Sequence, residues 1–152
     1  MPSRFIEAGI TRVGESLDNI SWNILGQTYK PMQYSKTCFA FDTLFPTGTF
    51  VPHHIHPDQD EFIRVTEGEF DIWLNGAEMK AKAGDLVRMP TGSLHGIFNN
   101  SGKPTRAMFW VTPSQKLFEL FVKLDNLPDP AEVMRVSAEH NVLFKDPGNK
   151  AG

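Results

Sequence analysis

Apolar and polar residues alternate through the middle of the chain, and that alternation predicts strands. From about residue 36 to 112 the segments TCFAFDTLF, EFIRVTEG, EFDIWLNG, EMKAKAG, DLVRMP, HGIFNN and RAMFWVT follow one another between Gly, Pro and Asn. Short runs punctuated in this way read as half-buried strands joined by turns. Within DIWLNGAEMKAKAG, Asn75-Gly76 supplies two residues that tolerate positive φ, which a tight hairpin turn requires. Many short strands at close spacing predict an all-β barrel or sandwich. The first 35 residues are less regular, with WNILGQTYKPM adding one or two strands.

After Thr112 the period changes. In PSQKLFELFVKLDN, Leu117, Leu120, Phe121 and Leu124 stand at i, i+3, i+4 and i+7, one apolar face of a helix. Thr112 is the expected cap, with Pro113 at the first helical position. DPAEVMRVSAEHN repeats the device, with Asp129 as N-cap, Pro130 at N1, Glu132 completing a capping box and Asn141 as the stop. The helices of residues 113–141 are expected to cover an edge or end of the barrel, and KDPGNKAG reads as a frayed tail.

Composition narrows the class. A chain of 152 residues, 40% hydrophobic and 22% charged, is expected to form one globular domain with a single core. A net charge of −3 provides no electrostatic reason for nucleic acid or anionic lipid as partner. No apolar run is long enough to cross a bilayer, and MPSRFIEAGI lacks the apolar core of a signal peptide. Cys38 is the only cysteine, which excludes an intrachain disulfide and a thiol-cluster metal site and suits a reducing cytoplasm. Cys38 itself is expected to be a small buried hydrophobe.

The chemistry concentrates in FVPHHIHPDQDEF, residues 50–62, which holds three of the five histidines and three acidic residues. Residues two apart on a strand share a face, so His54 and His56 point the same way, about 6.5 Å apart at Cα, close enough for both imidazoles to reach one ion. His53 points oppositely and is excluded; His53 and His140 are expected to be surface histidines. Glu61 opens the next strand on the same side as Ile63 and Val65, an apolar face where a carboxylate is costly unless paired or bound to metal. His95 follows a bend made by Pro90 and Gly92. Strand parity alone does not bring His95 and Glu61 to the histidine pair; a closed barrel permits it.

Gly48-x5-His54-x-His56-x4-Glu61-x6-Gly68 resembles the first cupin motif in spacing and residue type, and Gly84-x5-Pro90-x-Gly92-x2-His95-x3-Asn99 resembles the second. Within that superfamily the chain is most similar to single-domain quercetin 2,3-dioxygenase-like cupins, through HIHPDQDEFIRVTEGEF, WVTPSQKLFELF and PDPAEVMRVSAEHN. The resemblance implies a double-stranded β-helix holding one metal ion through His54, His56, His95 and Glu61. The glycines, with Pro90, read as turn-makers, and Asn99 as serving a turn or strand end. Arg64 on the outward face is expected to be solvated or in a subunit contact. Phe39, Phe41, Phe98, Phe109 and Trp110 are candidates for a barrel mouth.

Three imidazoles and a carboxylate suit Fe, Mn, Co, Ni, Cu or Zn in the divalent state. Octahedral geometry would leave two positions open for water, a chelating substrate or O2, whereas tetrahedral zinc would be saturated. The resemblance further implies that Glu61 is a general base in a dioxygenase acting on an aromatic or enolisable small molecule. A metal-assisted isomerase, cyclase or lyase without O2, or a non-enzymatic small-molecule-binding cupin, are the alternatives, since fold does not fix function. A homodimer formed through edge strands is the expected assembly.

Overall fold

The computed structural model describes residues 9–145. The chain folds into two antiparallel sheets facing one another, with two helices after the strands. In chain order the strands are β1 (Trp22–Ile24), β2 (Gln27–Tyr34), β3 (Phe39–Phe45), β4 (Phe50–Ile55), β5 (Asp60–Glu67), β6 (Glu69–Leu74), β7 (Ala77–Lys82), β8 (Leu86–Met89), β9 (His95–Phe98) and β10 (Thr105–Thr112). The helices α1 (Leu117–Leu124) and α2 (Pro130–Glu139) follow, and then a two-residue strand, β11 (Leu143–Phe144). One sheet has the order β1-β2-β3-β10-β5-β8 and the other β11-β4-β9-β6-β7. This is the all-β double-stranded β-helix that the resemblance implies, with the C-terminal helices that the apolar spacing predicts. The segment WNILGQTYKPM contributes both β1 and β2 to the larger sheet.

Burial follows the alternation. In β10, Thr105, Ala107, Phe109 and Val111 face the interior while their neighbours are half-buried, and β3 alternates likewise through Phe39, Phe41, Thr43 and Phe45. The core is aromatic: Phe41 stacks on Phe109 at 5.4 Å between ring centroids, and Phe45 meets Phe70 edge-on at 4.8 Å. Such pairs add to the free energy of burial. The β6–β7 hairpin turns on Asn75 (φ 50°) and Gly76 (φ 87°), the left-handed pair the sequence requires there.

Helix α1 closes one end of the sandwich, with Leu117, Phe118, Leu120, Phe121 and Leu124 all buried. Its start departs from expectation. Thr112 is the last residue of β10, paired with Asp60, and Pro113 lies outside the helix. The cause is Gln115, whose φ of 50° no right-handed helix can include, so the helix begins at Leu117. Helix α2 starts as predicted: the Asp129 carboxylate accepts from Ala131 N at 3.0 Å, with Pro130 in the first turn. Glu132 leaves the capping box to pair with Arg135 at 2.7 Å. Asn141 (φ 63°) ends the helix, where Asn141 N donates to Ala138 O and Val142 N to Ser137 O, the two bonds of a Schellman cap. KDPGNKAG lies almost wholly outside the described residues. Among those described, no helix is long and apolar enough to cross a membrane.

Candidate metal centre

His54 lies near the end of β4, His56 just beyond it, His95 at the start of β9, and Glu61 at the second position of β5. Strands β4 and β9 belong to the smaller sheet and β5 to the larger, so the donors approach from opposite layers. All four residues are at most 5% exposed. One ligand-type atom from each lies within 4.8 Å of every other, an arrangement that could hold a metal ion.

Hydrogen bonds fix how each imidazole is presented. Nδ1 of His54 lies 2.8 Å from Pro52 O, and Nδ1 of His95 lies 3.2 Å from Ser93 O. A carbonyl only accepts, so both Nδ1 atoms carry the proton, leaving Nε2 as the lone-pair donor of the neutral ring. His56 is set by the side chain of Gln59, in the turn between β4 and β5. Gln59 Nε2 donates to Pro113 O at 3.0 Å and to Ser114 O at 2.8 Å, which aims its Oε1 at His56 Nδ1, 2.8 Å away. Three imidazoles thus share one tautomer, with Nε2 left for the cluster.

The loop that carries His95 is tied to the other donors. Gly92 N donates to His56 O at 3.0 Å, and Asp60, beside Glu61, accepts from Thr91 N at 2.8 Å and Thr91 Oγ1 at 2.9 Å. Asn75 Oδ1 accepts from Leu94 N at 3.1 Å, so the hairpin turn braces the same loop. Asn99, at the end of β9, is wholly buried and donates to Phe45 O and Lys103 O at 2.9 and 2.7 Å, the strand-end role expected of it.

The electrostatics of the cluster suit a cation. Burial, reinforced by the neighbouring imidazoles of His95 and His56, holds His54 well below the ordinary histidine value. Burial also lowers His56, against the opposing pull of Glu61. Burial opposes ionisation of Glu61, but the adjoining imidazoles of His56 and His95 outweigh it, and the carboxyl lies below its ordinary range. Glu61 Oε2 is 3.0 Å from His95 Nε2 and 3.3 Å from His56 Nε2. Neutral imidazoles protonated at Nδ1 would turn lone pairs toward a carboxylate at these distances, which is repulsive unless a positive charge lies between.

A cavity of about 50 Å³ opens against the cluster. Its polar lining comes from His54, His56, Glu61, Tyr29 and Ser137; Phe41, Phe109, Phe144 and the aliphatic residues of α1 supply most of the rest. Tyr29 is raised far above the ordinary phenol value by burial and then by the charge of Glu61, so it stays a neutral hydroxyl, which donates to Gln27 Oε1 at 2.9 Å.

Several expectations need correction. His53 does stay out of the cluster, but it is buried, with its ring near Trp73 and Phe98 at 6.1 and 5.7 Å. The pairing of β4 with β9 shifts register between Val51 and His54, and β4 is buried on both faces there. His140 is buried too, its Nδ1 2.8 Å from Val136 O at the end of α2. Cys38 is only half-buried, with its thiol raised by burial. Of the five aromatic candidates, Phe41 and Phe109 line the cavity. Phe39 packs between Trp22 and Phe118, Phe98 stacks on Phe50, and Trp110 stacks on Phe62.

The two-layer antiparallel fold thus carries a buried three-histidine, one-glutamate cluster beside a cavity. Residues 41–112 match the cupin domain family. Among curated proteins the chain is 29% identical over 85 residues to tetracenomycin polyketide synthase protein TcmJ of Streptomyces glaucescens, a match over 55% of this chain and 57% of that protein. The match thus spans little more than half the length of that relative. Among solved structures it is similar to KdgF from Halomonas sp., with a TM-score of 0.63, 18% identity, and coverage of 73% of this chain and 99% of that one. It is also similar to an RmlC-like cupin from Shewanella frigidimarina, with a TM-score of 0.57, 20% identity, and coverage of 74% and 89%. Both structural likenesses speak for the fold alone.

Proposed function

We propose that this protein is a mononuclear metal-dependent dioxygenase of the quercetin 2,3-dioxygenase type, acting on a small aromatic or enolisable molecule with O2 as co-substrate. The observation that supports it most is the convergence of His54, His56, His95 and Glu61 beside a largely apolar cavity. The donor set fits a divalent transition metal: three Nε2 atoms with their tautomers fixed, and one ionised carboxylate. Bound there, such an ion would supply Lewis acidity to a substrate oxygen.

The chain's own residues do the rest. Glu61 is the buried group able to accept a substrate hydroxyl proton as the enolate forms. Phe41 and Phe109 flank a planar ring, while Leu117, Leu120 and Phe121 exclude water. One water needs roughly 10–15 Å³ of cavity, so the present space of about 50 Å³ holds only a few waters. A ligand as large as a flavonol therefore requires α1 to move outward.

The likeness to a polyketide synthase protein favours a second reading, in which the same centre polarises an enolisable carbonyl without O2. Protein reconstituted with Fe, Mn, Co or Ni should consume O2 and release carbon monoxide across a flavonol panel. No turnover with any of these metals removes flavonols as substrates, and turnover that persists anaerobically selects the second reading. Glu61→Gln should lower kcat by about 10²–10⁴-fold with a far smaller change in substrate affinity; equal losses in both would remove its role as base.

A further inference from the structure

One polar group on the cavity wall has no part in the chemistry above. Ser137, on α2, is fully buried and lines the same cavity as His54, His56 and Glu61. Its Oγ has no hydrogen-bond partner among the described residues. A helical serine commonly returns its hydroxyl to the carbonyl one turn back, and a buried hydroxyl left unpaired is destabilising. The main chain here is complete: Ser137 O accepts from His140 N at 2.9 Å and from Val142 N at 3.0 Å, which closes the helix end. Only the side chain is left over. Alanine would fill the position without that penalty, so packing alone does not account for a hydroxyl.

We propose that Ser137 Oγ is a ligand-binding group that orients the substrate by hydrogen bonding to an atom away from the metal-facing end. The inference rests on the function proposed above and narrows its substrate class. The ligand is compact, with an enolic or phenolic oxygen directed to the histidine–glutamate cluster. An apolar body lies among Phe41, Phe109 and Phe121, and a second polar substituent, a hydroxyl or carbonyl, reaches α2. Ser137 touches the substrate and not the reacting atoms, so it sets affinity and selection, not the chemical step.

The test uses two nearly isosteric probes, 4-(hydroxymethyl)catechol and 4-ethylcatechol, which differ by one terminal hydroxyl. Their Kd values are measured by calorimetry on Co(II)-loaded full-length protein, wild type and Ser137→Ala. Wild type should prefer the hydroxymethyl compound about 5–10-fold more strongly than Ser137→Ala does, the range set by one net hydrogen bond. Ser137→Thr, which keeps a hydroxyl, should restore the preference, and Ser137→Ala should keep or raise the Tm of the ligand-free protein. An equal preference in wild type and Ser137→Ala means that the hydroxyl meets no part of the ligand and overturns this inference while leaving the proposed function standing. A lowered Tm in Ser137→Ala marks a structural hydroxyl and also overturns it. If neither catechol binds the loaded wild type, this inference is overturned, and the proposed function is decided by the turnover assays above.

Discussion

Gln59→Leu isolates how much of the metal centre depends on a residue that contributes no donor. Leucine is close in size but removes three hydrogen bonds, to His56 Nδ1, Pro113 O and Ser114 O. The His56 and Ser114 partners are buried and would lose about 1–3 kcal/mol each, while the part-buried Pro113 carbonyl can turn to water. The expected loss of stability is therefore about 2–6 kcal/mol. Freed from Gln59, the His56 ring can rotate or move its proton to Nε2, and metal affinity should fall about 10–100-fold, as for other partners that orient metal-binding histidines. Urea unfolding in EDTA reads the first quantity, and Co(II) titration against a competing chelator at pH 7.5 reads the second. If Gln59→Leu unfolds more easily yet binds Co(II) within about twofold of wild type, Gln59 is only a strut between the turn and residues 113–114.

The metal-free protein should lose stability as pH falls. His54 and His56 lie below the ordinary value of 6.5, so below that pH the unfolded chain binds protons the folded one refuses, at up to about 1.4 kcal/mol per pH unit for each. Glu61, also lowered, adds the same sign below 4.5; urea midpoints in EDTA that stay flat from pH 7.5 to 5.5 would contradict this. Gly68→Ala should cost more than Gly48→Ala. Both have positive φ, worth about 1–2 kcal/mol, but a Cβ on Gly68 would meet Thr105 Oγ1 at 2.7 Å and Pro104 O at 2.8 Å, whereas at Gly48 nothing lies within 4 Å; equal urea midpoints would refute the contact. Leu120→Ala, at a residue 1% exposed, should lower stability by about 2–5 kcal/mol in the same assay, and a loss below about 1 would show α1 loosely seated.

The strands, the Asn75-Gly76 turn and the donor spacing were legible because each is encoded within a few residues. Alternation exposes which face of β5 is buried, and so why Glu61 stands out among Ile63 and Val65. What stayed hidden depends on distant chain. Gln59 acts through carbonyls 54 and 55 residues further on, and nothing in PDQDE marks it. His53 is buried because Trp73 and Phe98 cover it, and neither is near in sequence. The start of α1 was misplaced because a Thr-Pro pair is a sound cap signal, and glutamine carries no sign of the left-handed conformation that overrides it. Ser137 lies on a helix whose buried face is legible, but its empty hydroxyl is not.

The two sheets each contribute to the cluster, β4 and β9 from one layer and β5 from the other. A cation gripped by all of them acts as a rivet through the sandwich. Its arrival should slow hydrogen–deuterium exchange at the ends of those three strands together, and leave β7, an edge strand that carries none of the four donors, as it was.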